Sequence, residues 1–154
     1  MDLEAGYKGI EPDGTAQHGF RLRIGLPSGQ MHPKGIPVIL DPVGAGTTTL
    51  RTETARRLIR EVRPTVIRGN ASEILALRDS DIQTRDADSR HTVGQAHETA
   101  RRIALDTGAV VAVTGPEDHV TDGTRTAYIR AGHPLLTRIT GSGSMVAATI
   151  AALC

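Results

Sequence analysis

The sequence contains a single cysteine, Cys154, and no tryptophan, and aromatic residues make up only 2% of its 154 residues. One cysteine excludes an intrachain disulfide and any zinc site built from a cysteine cluster, and it fits a reducing compartment. Nucleic-acid-binding surfaces usually combine a basic stripe with aromatic side chains. The low aromatic content and a formal net charge of +1 therefore argue against a nucleic-acid partner.

Long hydrophobic runs are also absent from the sequence. No apolar run approaches the roughly 20 residues that a bilayer-spanning helix needs. The first residues, MDLEAGYKG, are polar and contain glycine, unlike a secretory signal peptide. We therefore expect a cytoplasmic protein without a membrane partner, and a length that fits one domain.

Glycine is frequent near the N-terminus. Seven glycines lie between Gly6 and Gly35 and leave only Phe20–Leu26 as a weak strand. We predict that residues 1–34 form an atypical, poorly patterned segment and that the domain occupies residues 35–154.

Short apolar runs alternate with amphipathic segments in the rest of the chain. The runs Val38–Leu40, Thr65–Arg68 and Ala109–Val113 predict buried strands. Apolar side chains at helical spacing predict helices over Arg51–Val62 and Val93–Thr107. This alternation favours an α/β fold with a mainly parallel sheet and helices on both faces.

Three further features complete the expected elements. Asp122-Gly123, between Val120–Thr121 and Thr124–Ile129, is a strong signal for a tight hairpin. The polar segment Arg78–Arg90 predicts an exposed loop, and small residues predict a last helix over Met145–Leu153. The simplest interpretation of three arginines in the first predicted helix is that they lie on its solvent-exposed face. These are Arg56, Arg57 and Arg60.

Polar side chains follow the ends of the predicted strands. Asp41 closes the first strand, Arg68 ends the second and Asn70 follows it, and Thr114 closes the third. Ligands of open α/β sheets bind outside the carboxyl ends of the strands. We therefore expect Asp41, Arg68, Asn70 and the nearby Glu73 on one rim, where they suit a metal-bound polyphosphate.

The same residues also have structural interpretations. Asn70 followed by Glu73 three positions later is the pattern of a helix cap. Asp41 precedes a proline and suits a turn. Arg68 suits a structural ion pair, and Thr114 suits the simple end of a strand.

The segment TGSGS, residues 140–144, is a second candidate for anion binding. Gly141 and Gly143 let backbone N–H groups approach a ligand, and the segment leads into a helix N-terminus, which favours negative charge. The alternative is a plain glycine turn in which Ser144 caps the helix.

The motifs DPVGAG, IRGNASEI and TGSGS together resemble hydroxyethylthiazole kinases, the thiamine-salvage branch of the ribokinase-like superfamily. The resemblance extends from about Gly35 to the end of the chain. It implies a three-layer αβα ribokinase-like fold that is incomplete, because the family's N-terminal substrate-binding segment and its final helices have no match. We therefore expect a chain truncated at both ends and, because apolar edges would be exposed, only marginally stable alone.

The resemblance also implies an activity. Hydroxyethylthiazole kinases use ATP to phosphorylate the hydroxyl of 4-methyl-5-(2-hydroxyethyl)thiazole for thiamine biosynthesis or salvage, with Mg²⁺, and they form homo-oligomers, trimers in the family. By resemblance Asp41 and Glu73 place Mg²⁺, with Asn70 acting indirectly. Arg68 and Thr114 would contact ATP.

The TGSGS segment carries the remaining implied roles. Gly141, Ser142 and Gly143 would face the substrate and form the anion hole. Ser144 stands where the family typically has a catalytic cysteine. A serine hydroxyl is a poor base, since its proton is much less acidic than that of a thiol. We therefore expect positioning and electrostatics to provide the rate, as phosphoryl transfer permits.

Two alternatives stay open at this point. The chain could be an inactive nucleotide-binding fragment or a pseudoenzyme subunit. It could also be another ribokinase-like kinase, such as a hydroxymethylpyrimidine phosphate kinase. Two features argue against this second alternative. Such enzymes usually have an aspartate at the position of Ser144, and the motif IRGNASEI resembles hydroxyethylthiazole kinases.

Overall fold

The computed structural model describes residues 36–78, 89–139 and 141–154. The predicted segment 1–34, with its possible strand Phe20–Leu26, lies outside the described residues. So does most of the predicted loop Arg78–Arg90.

A mixed five-stranded sheet, with its strands in chain order, forms the centre of the described structure. Strands β1 (Ile39–Leu40), β2 (Val66–Asn70) and β3 (Val110–Thr114) are parallel, and β4 (Asp118–Thr121) and β5 (Thr126–Ile129) continue the sheet in antiparallel fashion. The α/β class and the parallel arrangement of the first strands are confirmed.

Within the described ranges, four α-helices and one 3-10 helix accompany the sheet. Three of the α-helices, the first, the third and the last, begin earlier than predicted. The first begins at Thr49 because the side chain of Thr48 accepts a hydrogen bond from the N–H of Arg51 at 3.3 Å. The third begins at Ser89, before the predicted Val93. Its first turn is polar, so apolar periodicity does not reveal it. The bounds are α1 (Thr49–Val62), α2 (Ala71–Ala76), α3 (Ser89–Thr107), the 3-10 helix (Pro134–Arg138) and α4 (Ser142–Leu153).

The core lies where α2 and α3 pack against β2 and β3. Ile67, Ile74 and Val111 are fully buried. The buried face of α3 consists of small residues one turn apart, which let the helix approach the sheet closely. These residues are Ala96, Ala100 and Ala104.

The predicted hairpin forms, with a four-residue turn, 122–125, in place of the expected two-residue turn at Asp122-Gly123. The carboxylate of Asp122 accepts hydrogen bonds from the N–H groups of Thr124 and Arg125 at 2.9 and 2.7 Å. These bonds hold the pKa of Asp122 well below its ordinary value. Thr124 and Arg125 therefore belong to the turn and not to the strand, because the aspartate side chain stabilises the longer loop.

Helix α4 begins three residues before the predicted Met145 and has no buried residue. Its apolar side chains include Met145 and Leu153, which are 66% and 82% exposed. Exposed apolar faces of this kind favour association. Marginal stability of the isolated chain stays a prediction. The exposed apolar side chains of α4 are the feature that most directly supports it. Across the described ranges no helix combines the length and apolar character that a bilayer crossing requires.

Two histidines stack between α3 and the hairpin. The rings of His97 and His119 are parallel within 6° with centroids 4.0 Å apart, and Tyr128 meets His119 edge-on at 5.2 Å. His119 is 3% exposed, and its Nδ1 atom has no hydrogen-bond partner among the described residues. Burial lowers the pKa of both histidines; the charge of His97 lowers that of His119 further, and Glu117 opposes the shift at His97.

We expect the fold to lose stability in mild acid. The unfolded chain takes up protons near the ordinary histidine pKa of 6.5, whereas the folded chain resists protonation until lower pH. Stability is therefore fully present above that pH and falls as the pH drops below it. Urea unfolding followed by circular dichroism between about pH 7.5 and about pH 5 measures this loss.

The test variant is His119→Phe, which keeps an aromatic ring and removes the buried titrating group. It should flatten the pH dependence. A His119→Phe variant with the full acid sensitivity of the parent chain would contradict the assignment.

Candidate active site

Arg68 lies at the centre of the polar rim, although it is the middle residue of β2, which continues two residues beyond the predicted end at Arg68. Its side chain is only 12% exposed. The Nη2 atom donates a hydrogen bond to Oγ1 of Thr114 on β3 at 2.7 Å, and Nη1 lies 3.6 Å from Oδ2 of Asp41, just beyond β1. One guanidinium thereby links three neighbouring strands.

Asp41 is a buried carboxylate with free acceptor capacity. Among the described residues neither of its oxygens has a hydrogen-bond partner, since the contact with Arg68 is too long to count as one. Burial raises the pKa of Asp41; the charge of Arg68 opposes the shift, and the nearby carboxylate of Glu73 adds to it. Two close carboxylates with free oxygen lone pairs suit a hard divalent cation.

The predicted helix cap at Asn70 is confirmed. Oδ1 of Asn70 accepts a hydrogen bond from the N–H of Glu73, and Oε2 of Glu73 accepts one from the N–H of Asn70, both at 2.9 Å. Oε1 of Glu73 also accepts a hydrogen bond from the N–H of Gly44 at 3.0 Å. Glu73 therefore connects the glycine loop after β1 to the start of α2. Each of its oxygens keeps a second lone pair for another ligand.

The first turn of α4 covers Arg68. A Cβ atom built on Gly143 would overlap the guanidinium of Arg68, so any larger residue would require the guanidinium to leave this position. The chain turns at Gly141, whose φ is 85°, and the helix begins at the next residue. Ser144 is the third residue of the helix and is exposed. The expectation that Ser144 caps the helix is wrong, because Gly141 occupies the cap position and offers no side chain.

The structure brings the predicted site residues to one edge of the sheet. A chain of direct contacts connects them, with Arg68 touching both neighbouring strands and α4, and with Glu73 joined through the loop after β1. The connected residues are Asp41, Arg68, Asn70, Glu73 and Thr114, together with Gly143 of the segment 141–144. In the described part of the chain, no three histidine, cysteine, aspartate or glutamate side chains converge as a metal cluster.

Arg56 has a different environment from the one that the sequence pattern predicted. The prediction of a solvated helix face is wrong for it, because its side chain is only 13% exposed. Its Nη2 atom donates hydrogen bonds to the carbonyl oxygens of Ala76, at 3.0 Å, and Arg78, and Nη1 pairs with Glu53 at 2.9 Å. Its position directly after the buried Ala55 was the one signal that it borders the apolar face.

Comparison with known proteins gives consistent matches. The family model described as the hydroxyethylthiazole kinase family matches residues 27–154. The hydroxyethylthiazole kinase of Oleidesulfovibrio alaskensis is 48% identical over 119 residues, which cover 77% of this chain and 45% of that protein. The bifunctional thiamine biosynthesis protein ThiM/ThiE of Symbiobacterium thermophilum is 48% identical over 142 residues, covering 90% of this chain and 29% of that protein.

A solved structure gives the same match. The hydroxyethylthiazole kinase protein from Pyrococcus horikoshii OT3 superposes with a TM-score of 0.60 at 40% sequence identity, covering 75% of this chain and 41% of that one. The chain thus spans less than half the length of these relatives.

We expect Gly143→Ala to destabilise the fold by about 1–3 kcal/mol. The added Cβ displaces the guanidinium of Arg68 and breaks its hydrogen bond to Thr114, and hydrogen bonds to charged groups have about that value. Urea unfolding measures the change. Gly94→Ala is the matched control, since a Cβ on Gly94 of α3 meets no atom within 4 Å. The control should be stabilised by up to about 1 kcal/mol. Equal stabilisation of both variants would refute the close approach.

Proposed function

This chain belongs to the hydroxyethylthiazole kinase family, and from that premise we propose that it binds magnesium–ATP for the phosphorylation of 4-methyl-5-(2-hydroxyethyl)thiazole in thiamine biosynthesis or salvage. The observation that carries the proposal is the cluster of Asp41, Arg68 and Gly143 beside the strand ends. In open α/β sheets this edge is where ligands bind. We also propose that the enzyme is cytoplasmic and that it forms a homo-oligomer.

Asp41 and Glu73 would hold the magnesium ion, with Asn70 fixing the position of Glu73. When bound, Mg²⁺ neutralises charge on the phosphate oxygens. The buried oxygens of Asp41, which have no hydrogen-bond partner in the described part of the chain, fit that group. Mg²⁺ typically takes only one or two carboxylates and completes its shell with water and phosphate oxygens. Two carboxylates are therefore an adequate protein contribution.

Arg68 and Thr114 would hold the phosphates of ATP. A guanidinium carries five N–H donors in a planar fork, and the bond to Thr114 uses one of them. The Nε atom has no partner among the described residues. The remaining donors can therefore bind phosphate oxygens, and the hydrogen bond to Thr114 fixes the plane in which they point.

The first turn of α4 would receive the transferring phosphate and the substrate alcohol. The N–H groups of Ser142, Gly143 and Ser144 have no acceptor within the helix, and they lie next to the positive charge of Arg68. Negative charge that develops during transfer is stabilised there. The hydroxyl of Ser144 would orient the alcohol, since it is too weak a base to remove a proton efficiently.

We expect Asp41→Asn to weaken magnesium-dependent ATP binding at least about tenfold without destabilising the fold. Burial of this carboxylate is unfavourable, as its raised pKa indicates, and an amide removes that cost. Isothermal titration with ATP at varied Mg²⁺ measures affinity, and urea unfolding measures stability. Asp106→Asn, at an exposed position of α3, is the control. Unchanged magnesium dependence in Asp41→Asn would remove Asp41 from the metal site.

We expect Ser144→Ala to lower thiazole phosphorylation roughly tenfold, because the alcohol loses an orienting hydroxyl. Ser144→Cys should keep or raise the rate, since a thiol is more acidic. Product formation measured by mass spectrometry tests both variants, with Thr149→Ala on the same helix as the control. A Ser144→Ala variant with parental turnover would exclude a role for this hydroxyl. ATP binding without any turnover in the parent chain would instead favour the inactive nucleotide-binding subunit.

A further inference from the structure

Arg56 connects two helices that are separate in sequence. It belongs to α1, yet its guanidinium reaches the carbonyl oxygens of Ala76 and Arg78 at the C-terminal end of α2. The last carbonyl groups of a helix have no partner within the helix, and a cationic donor there also complements the helix dipole. Glu53 fixes the other side of the guanidinium.

Helix α2 depends on such contacts because it has only six residues. Helices of this length are not stable by themselves in water. The contacts that hold it in place are Ile74 in the core, the cap at its start and Arg56 at its end.

The position of α2 determines the position of Glu73. This carboxylate accepts hydrogen bonds from the N–H groups of Gly44 and Asn70, and Gly44 lies in the loop that follows Asp41. The loop after β1 touches the other end of α2 too, since a Cβ on Gly46 would lie 3.1 Å from the Cβ of Ala76. A shift of Ala76 would therefore be transmitted to both the loop and the carboxylate.

We propose that Arg56 is a positioning residue for magnesium–ATP binding, which it serves by holding the C-terminal end of α2 so that Glu73 keeps its hydrogen bond to the loop that follows Asp41. The inference rests on the proposed function. This role is distinct from general stabilisation. The guanidinium of Arg56 is only 13% exposed, and its Nε has no partner among the described residues. Burying a charge in this way loses hydration, so an apolar side chain would fill the space between the two helices at a lower free-energy cost. The Nη2 donors of Arg56 serve the end of α2, and one Nη1 donor serves Glu53.

The test uses the full chain and three variants. Arg56→Met keeps the length of the side chain and removes its donors and charge, and Arg56→Lys restores the charge and one donor. Arg57→Met is the control, because Arg57 is the next residue of α1, is 70% exposed and, among the residues that the structure describes, forms an ion pair with Glu61 alone. The first measurement is hydrogen exchange of the Gly44 and Asn70 amides, and the second is the magnesium dependence of ATP binding by calorimetry.

Arg56→Met should accelerate exchange at the Gly44 and Asn70 amides and raise the dissociation constant for magnesium–ATP about tenfold. Exchange of the Val110 amide, which donates to the carbonyl oxygen of Thr65 in the sheet, should stay slow. Arg56→Lys should recover part of both effects, and Arg57→Met should match the parent chain.

Two results would overturn the inference. One is unchanged exchange at the Gly44 and Asn70 amides in Arg56→Met, and the other is an equal acceleration at Val110, which would indicate general destabilisation. If Arg56→Met does not fold, parental exchange and affinity in Arg56→Lys with a lower melting temperature would also overturn it. A parent chain that does not bind magnesium–ATP would refute the proposed function, while the exchange measurement would still decide whether Arg56 positions Glu73.

Discussion

The buried guanidinium of Arg68 is the interaction on which the arrangement of the site depends. It joins β2 to Thr114 on β3, to Asp41 after β1 and to the start of α4. A buried charge is tolerated only where partners and hydrogen bonds compensate its loss of hydration. The surrounding elements are therefore constrained to keep those partners in place, and Gly143 is constrained to lack a side chain.

The cost of burying the Asp41 carboxylate is only partly offset by its neighbours. The carboxylate lies 3.6 Å from Arg68, so attraction between the two charges does not offset burial, and the pKa of Asp41 stays raised. Groups held in an unfavourable electrostatic state cluster at functional sites more often than elsewhere. In a family that transfers phosphate, such a carboxylate is suited to a cation, which would supply the missing favourable interaction.

Much of the fold followed from local patterns in the sequence. Apolar runs located β1, β2 and β3 within a few residues, and Asn70 with Glu73 correctly indicated a helix cap. The errors arose where local patterns compete. The side chain of Asp122 stabilised a longer turn than its glycine neighbour predicted, and Gly141 started α4 before its first apolar residue. Arg56 was assigned to solvent because the charge pattern of α1 does not distinguish it from its exposed neighbour.

The sequence by itself determined the family, the α/β class and the identity of the residues that end the strands, because these depend on motifs and on short-range periodicity. Only the tertiary structure decided which of these groups are buried and what they contact. The burial of Arg56, the unpartnered oxygens of Asp41 and the approach of Gly143 to Arg68 involve residues that are distant along the chain. Packing of helices and strands brings them together, and no local pattern encodes the resulting distances.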